Sequence, residues 1–380
     1  MTDKSKTCSH ESSSRTIVRE ARLDDDEKIC DLILRNSVVG GISSTMDCKP
    51  SFFNAIEVEG FMHRVAVAES NHQIVGVVSM SKRKVIINEI STDIGYIGSL
   101  RIDSSFRSTT ILARLIHITK KWHHEGFGVQ YYLSAIPYGN ISARNIMTSG
   151  RAGLPTSTDM GILYNAAIPI FKRRVPSPPN GIQVVRGGAV GAARIAEFLN
   201  RTGKEKQLFP VYTADDIMAE GGILRGLHLD DFYVALDGNH ILGVSACWDQ
   251  LPFRRMLITG YPWYLRCLKY VSAPLARFWN MAPIPNPGEP LRNVFASCIA
   301  VKENNKQIFE LLLNTLLHHL HNKGKAFLVV GLMEADPLMP VLNKYFHIPA
   351  RTFIDVASWD GPDVLSKLKG RIPYIELGGL

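Results

Sequence analysis

Two hydrophobic periods follow one another along this chain, and the succession occurs twice. From Tyr96 to Ile102 the apolar residues Ile97, Leu100 and Ile102 fit a strand buried in a sheet, and from Ile111 the spacing becomes helical through Leu112, Leu115, Ile118 and Trp122. Upstream, the same reading predicts a strand over Ile17–Ala21, a helix over Asp24–Asn36 and a short helix near Ser51–Glu59. A hairpin follows, with strands around Arg64–Glu69 and Ile74–Ile87, and then a strand over Gly95–Ile102. Downstream, it predicts a helix over Thr109–Glu125, a strand over Val129–Ile136, a helix over Asn140–Ser149 and terminal β-structure near Met160–Asn165.

Residues 65–79 align with 232–246 at an offset of 167, pairing Val67 with Val234, Ala68 with Ala235, Ile74 with Ile241 and Gly76 with Gly243. The helix before Gly126 matches the helix Lys306–Lys323 before Gly324 at an offset of 198, with Ile111 set against Phe309 and Leu115 against Leu313. Each helix stops at a glycine suited to a left-handed cap, and a β-rich run follows it. The chain therefore reads as a tandem duplication of one α+β unit, repeated from Ile182 to Trp359, with RRVPSPPNG at 173–181 as linker. The offsets differ by 198 − 167 = 31, so the second copy carries about 31 extra residues before its central strand.

Between the strand and the helix of the first copy lies Ser104-Ser105-Phe106-Arg107-Ser108-Thr109-Thr110, which offers hydroxyls, a guanidinium and backbone N–H groups. The first N–H groups of a helix lack intrahelical partners and the helix dipole adds positive potential there, so an anion is the natural guest. A net charge of +8 over 380 residues also favours anionic partners. With 46% hydrophobic and 21% charged residues the chain is neither disordered nor fibrous, and its length suits two domains. No recognised nucleic-acid module accompanies the charge, so nucleic acid is not expected as a partner. Six scattered cysteines and a His318, His319, His321 group on a leucine-rich helix match neither a zinc site nor a disulfide framework. Residues 1–14 read as a disordered lead-in without a signal-peptide core, which makes a cytoplasmic location the expectation.

The order of strand, two helices, hairpin, central strand, anion-facing helix, strand and helix, with IVGV at 74–77, YIGSLRIDSSFR at 96–107 and NISARNIMTSG at 140–150, resembles the GCN5-related N-acetyltransferase (GNAT) superfamily. The resemblance implies an α+β fold with a mixed sheet and two tandem acyl-CoA N-acyltransferase domains. The first, over 15–172, would hold the acyl-CoA site; the second, over 182–360, would be a degenerate copy; and 361–380 would be a tail. The implied activity is that of an N-acetyltransferase, moving an acetyl or other acyl group from acyl-CoA to an amine acceptor. Leu100, Arg101 and Ile102 would offer backbone groups to the pantetheine arm, Arg107, Ser108, Thr109, Thr110 and Ile111 would wrap the pyrophosphate, and Asn140 would lie beside the arm.

The residues depart from the family's pattern in three places. Thr110 and Leu112 stand where glycine or alanine allows close approach to phosphate, and Met147 stands where a tyrosine protonates the leaving thiolate. Tyr138 is the substitute acid, and Glu89 is the expected base among Glu57, Glu59, Glu69, Glu89 and Asp93. The second copy's turn, Val301–Lys306, carries Glu303 where phosphate would sit, which disfavours a cofactor there. A non-catalytic binding or regulatory module of the same fold is the alternative. Within the insertion 251–291, Tyr261, Trp263, Tyr264, Tyr270, Phe278 and Trp279 mingle with Arg254, Arg255, Arg266, Lys269 and Arg277. That mixture suits a packed lid, the wall of an acceptor pocket or weak contact with a membrane surface.

Overall fold

The computed structural model describes residues 16–37, 43–107, 109–151, 153–173, 177–179, 181–261, 285–321 and 323–380. The lead-in 1–14, Ser108 and the aromatic stretch 262–284 of the insertion lie outside the described residues.

The first half begins with β1 (Ile17–Glu20) and α1 (Asp26–Arg35), whose inner face buries Ile29, Cys30, Leu32 and Ile33. Next come β2 (Ser43–Asp47), α2 (Phe52–Ala55) and a 3-10 turn, Ile56–Glu59. The hairpin β3 (Met62–Ser70) and β4 (Gln73–Ile87) is closed by Asn71 and His72 at φ of 49° and 61°, the left-handed pair a tight two-residue turn needs. β5 (Ile90–Ile102), α3 (Ile111–Trp122), β6 (Tyr132–Pro137), α4 (Ile141–Met147) and β7 (Thr156–Pro169) complete it.

The second half repeats the layout with β8 (Ile182–Arg186), α5 (Ala192–Gly203), β9 (Phe209–Pro210), α6 (Ala214–Met218), β10 (Phe232–Asp237) and β11 (His240–Trp248). It continues through β12 (Arg255–Gly260), β13 (Asn293–Val301), α7 (Lys306–Leu320), β14 (Phe327–Met333), α8 (Met339–Leu342), β15 (Ile348–Ser358) and α9 (Pro362–Leu365). No helix among the described residues is long and apolar enough to cross a membrane.

The repeat is visible in register. Ala68 faces Gly76 across β3–β4, and Ala235 faces Gly243 across β10–β11. A Cβ on Gly76 would lie 3.1 Å from Ile111 and 3.3 Å from Leu115, and one on Gly243 would lie 2.9 Å from Ile308 and 3.1 Å from Leu312. Ile111 thus corresponds to Ile308, one residue earlier than the Phe309 expected from the sequence. Both residues of each such pair are apolar, so hydrophobicity alone could not resolve the slip.

One sheet runs through both halves in the order β1-β3-β4-β5-β6-β15-β7-β14-β13-β11-β10-β8, with β9 added to β4. The last strands are exchanged. β15 lies between β6 and β7 of the first half, while β7 pairs with β14 of the second. β12 leaves this sheet and pairs with β2 as a two-stranded ribbon, so the insertion starts as a link between the halves. Residues 372–380, which the sequence left unplaced, run along the second half, tied by Tyr374 N to Gln207 O at 2.8 Å and Gln207 N to Ile372 O at 3.1 Å.

Candidate functional site

β5 and β6 are parallel neighbours only at Gly95–Tyr132 and Tyr96–Leu133, and beyond these pairs they separate. The wedge opens into a cavity of about 400 Å³. Gly98, Ser99, Leu100 and Arg101 form one wall, Ser134–Pro137 the other, and Asn140, Ala143 and Met147 of α4 close one side. Ile33, Phe52, Ala55, Ile56 and Glu59 come from the first half's helices, Met46 and Cys48 from β2 and its end, and Arg254, Met256, Phe295 and Leu377 from the second half.

Ser99 makes the wedge possible. Its φ is +52°, and Ser99 with Leu100 forms a bulge between the pairs Ser79–Gly98 and Val77–Arg101. Ile97, Leu100 and Ile102 consequently share one face of β5, packed toward α3, despite a spacing of three and then two. That spacing was the sequence signal for the bulge. Arg101 falls on the opposite face, and burial lowers the pKa of its guanidinium. Its Nη1 donates to Leu100 O at 2.9 Å, while its Nε and Asn165 Oδ1, both bordering the cavity, have no hydrogen-bond partner. Buried polar atoms without partners suit a wall that meets a polar ligand.

The second half keeps the bulge and fills it. Cys298 stands at φ +51° with the same register shift, but its N–H donates to Glu376 Oε2 at 2.8 Å and Ile299 N donates to Tyr374 Oη at 3.0 Å. Tyr374 Oη also donates to Glu376 at 2.9 Å. No side chain among the described residues accepts from Ser99 N or Leu100 N. The helix starts differ in the same sense: Asn305 Oδ1 accepts from Gln307 N and Ile308 N at the start of α7, whereas Thr110 gives α3 no side-chain cap.

A strand of the second half steadies α4 of the first. Arg144 donates to Asp355 on β15 at 3.1 Å and 3.3 Å, pairs with Asp159 at 2.8 Å, and lies over the Phe353 ring. Asn140 Oδ1 accepts from Ala143 N at 3.3 Å and caps the helix at the cavity's edge.

The expected site residues thus divide. Leu100, Arg101 and Asn140 line the cavity, Ile102 packs toward α3, and Ile111 is buried at the start of that helix. Arg107, Thr109 and Thr110 are exposed on the turn, with Thr109 Oγ1 donating to Phe106 O at 2.6 Å, and Ser108 is outside the described residues. Tyr138 stacks on Phe353 and does not line the cavity. Glu89 is not brought to it either. It sits at the tip of the β4–β5 hairpin, at φ +75°, paired with Arg371, because the two strands extend well beyond the wedge.

Glu59, and not the expected Glu89, is the carboxylate in the cavity wall. It is 3% exposed, burial raises its pKa, and Arg254, Ser81, Arg83 and Ser79 oppose that rise. The Tyr96 phenol and Cys48 thiol in the same wall are each pushed up to about 12 by burial, so both stay protonated near neutrality.

No protein-family model matches the chain, and no curated protein matches it by sequence. Solved structures do match. A GCN5-related N-acetyltransferase from Sphaerobacter thermophilus aligns with a TM-score of 0.58 at 12% identity, covering 96% of this chain and 98% of that one. Saccharomyces cerevisiae N-myristoyltransferase with bound myristoyl-CoA aligns with a TM-score of 0.58 at 10% identity, covering 93% and 87%. A second structure of that enzyme with myristoyl-CoA gives 0.60 at 9% identity, covering 90% and 79%. At such identities the likeness is one of architecture: over nearly its whole length the chain has the fold of the GCN5-related N-acetyltransferase superfamily.

Proposed function

We propose that this protein transfers an acyl group from acyl-CoA to an amine, and that the first half's cavity performs the reaction. The observation that carries the reading is the contrast between the two bulges: Cys298 and Ile299 are occupied by Glu376 and Tyr374, while Ser99 and Leu100 border an open cavity. An extended arm with amide groups suits the separated edges of β5 and β6, where Leu100 and Arg101 border the wedge. The start of α3, where Thr110 makes no cap bond and Arg107 is near, suits the pyrophosphate. Asn140 borders the arm's path. A thioester needs little further activation, so a fixed amine, N–H donors near the carbonyl oxygen and a proton acceptor complete the requirement.

Ile33, Phe52, Ala55 and Ile56 give the cavity an apolar wall, and its volume of about 400 Å³ exceeds what an acetyl group fills. The similar N-myristoyltransferase holds myristoyl-CoA, and for this chain an acyl group longer than acetyl is the reading we favour. Each methylene buried there adds about 0.8 kcal/mol. Isothermal titration of the full chain with acetyl-, octanoyl- and myristoyl-CoA tests this, alongside amide hydrogen exchange. Tighter binding of the longer chains, with protection around Leu100–Ile102 and none at Cys298, is expected. Absence of heat with all three removes the reading, and protection at Cys298 instead moves it to the second half.

Met147 favours the alternative of a binding module, because a thioether in the wall cannot protonate a leaving thiolate. Acyl-CoA binding without thiol release, whatever amine is supplied, would establish that alternative.

A further inference from the structure

We propose that Glu59, Ser81 and His63 form a proton path that carries the acceptor's proton from the cavity to the protein surface. The inference rests on the acyl-transfer reading and assigns three residues to a step that reading leaves open.

The path is continuous. Glu59 lines the cavity, and its Oε2 accepts from Ser81 Oγ at 2.8 Å and from Ser79 Oγ at 3.3 Å. Ser81 Oγ lies 3.0 Å from His63 Nδ1, and His63, near the start of β3, is half-buried beside exposed Phe61 and Met62. Ser79 and Ser81 are 0% exposed on one face of β4, among Val77, Val78 and Met80. A buried polar chain in such apolar surroundings is costly unless all its members are bonded.

The charged neighbours are few. Arg254, Arg83, the Tyr96 phenol and the Cys48 thiol face Glu59, while Glu57 and the backbone of Gly60 face His63. Burial raises the carboxyl's pKa and lowers the imidazole's, so the ordinary gap between the two groups narrows. Protons pass with least cost between groups of matched affinity.

An amine arrives as an ammonium and cannot attack until it loses a proton. Glu59 carboxylate takes that proton. The carboxyl then passes one to Ser81 Oγ as the Ser81 hydroxyl hydrogen moves to His63 Nδ1, and the imidazolium releases a proton to water. The neutral nitrogen forms a bond to the thioester carbonyl carbon, the C–S bond breaks, and the nitrogen's next proton ends on the departing sulfur. Ser79 keeps a hydrogen bond to the carboxylate while the Ser81 hydroxyl turns to His63.

The test compares two acceptors supplied with octanoyl-CoA to the full chain: benzylamine, an ammonium near neutral pH, and O-benzylhydroxylamine, which is neutral there. E59Q should lower kcat with benzylamine by about 100-fold and S81A by about 10-fold, with KM for octanoyl-CoA unchanged in S81A and O-benzylhydroxylamine turnover falling at least about tenfold less than benzylamine turnover in E59Q. The benzylamine rate in S81A should also need a higher pH to recover. Equal loss with both acceptors, or loss with neither, overturns the path. NMR titration of the His63 ring gives a readout independent of turnover. Its pKa should shift downward in E59Q and respond to S81A, and an unmoved titration in both variants overturns the path even if wild type consumes neither acceptor. Failure of acyl-CoA to bind, by contrast, overturns the acyl-transfer reading while leaving the His63 coupling measurable.

Discussion

Ser99 is where the two halves can be compared residue for residue. An L-residue at positive φ costs roughly 1–2 kcal/mol, and the chain accepts that cost at Ser99 and again at Cys298, with φ of +52° and +51°. The shared distortion widens the sheet in both halves, yet only one wedge is left for a ligand. Ser99→Val sets a β-branched side chain in this conformation and should reduce both stability and acyl-CoA affinity, the latter by at least about tenfold, whereas Ser99→Gly should preserve both. Cys298→Val should cost similar stability but leave acyl-CoA affinity unchanged, as thermal unfolding and titration calorimetry would record. Equal losses of affinity in the two β-branched variants would contradict the assignment to the first half. In sequence Ile97, Leu100 and Ile102 read as a regular buried strand; the three-residue step from Ile97 to Leu100 is the bulge's only local mark. Glu59 is not legible even to that extent: its neighbours Ser81 and Arg254 are 22 and 195 residues away in sequence, and no local pattern joins them.

Among elements, α3 and α7 occupy the same place and differ at their starts. Asn305 satisfies two N–H groups of α7, so Asn305→Ala should destabilise the protein by about 1 kcal/mol, as caps of this kind do. Thr110→Ala should change urea denaturation little, since Thr110 makes no cap bond, but should weaken acyl-CoA binding if its hydroxyl meets the pyrophosphate. Comparing the two variants with and without acyl-CoA separates a structural helix start from a ligand-facing one. Periods of two and 3.6 residues predicted these helices and placed the first half's strands of the main sheet, though β5 begins at Ile90 and not at the expected Gly95. β2 escaped because Ser-Ser-Thr-Met-Asp has no apolar alternation, and its partner, Arg255–Gly260, lies beyond the linker and most of the second half. A strand that owes its existence to a distant edge carries no local mark.

At the scale of the molecule, strand exchange makes the site a joint product. β15 supplies Asp355 and Phe353 to hold α4, and residues 372–380 fill the second wedge while Leu377 and Leu380 reach the first cavity. Glu57 adds a clamp next to Glu59: it accepts from Arg225 Nε and Nη2, both at 2.9 Å, and from Gly222 N at 2.9 Å. Burial alone would raise the Glu57 pKa, but the Arg225 fork and the Gly222 N–H outweigh it and hold the value below the ordinary 4.5. A carboxyl whose folded pKa is depressed stabilises the fold fully above its unfolded value and loses that contribution as pH falls through the folded one. Glu57→Gln should therefore destabilise the protein by about 1–3 kcal/mol near pH 7. The difference from wild type should shrink toward zero at a second, acid pH below that depressed folded value, where both side chains are uncharged. Urea unfolding at the two pH values measures it, and a pH-independent difference would show that packing, not charge, joins Glu57 to Arg225. Because Ile56 and Glu59 share the short turn with Glu57 and both line the cavity, the same variant should also weaken acyl-CoA binding above pH 5 or so, where the clamp is charged. Docking of the halves and shape of the cavity would then respond to one titration.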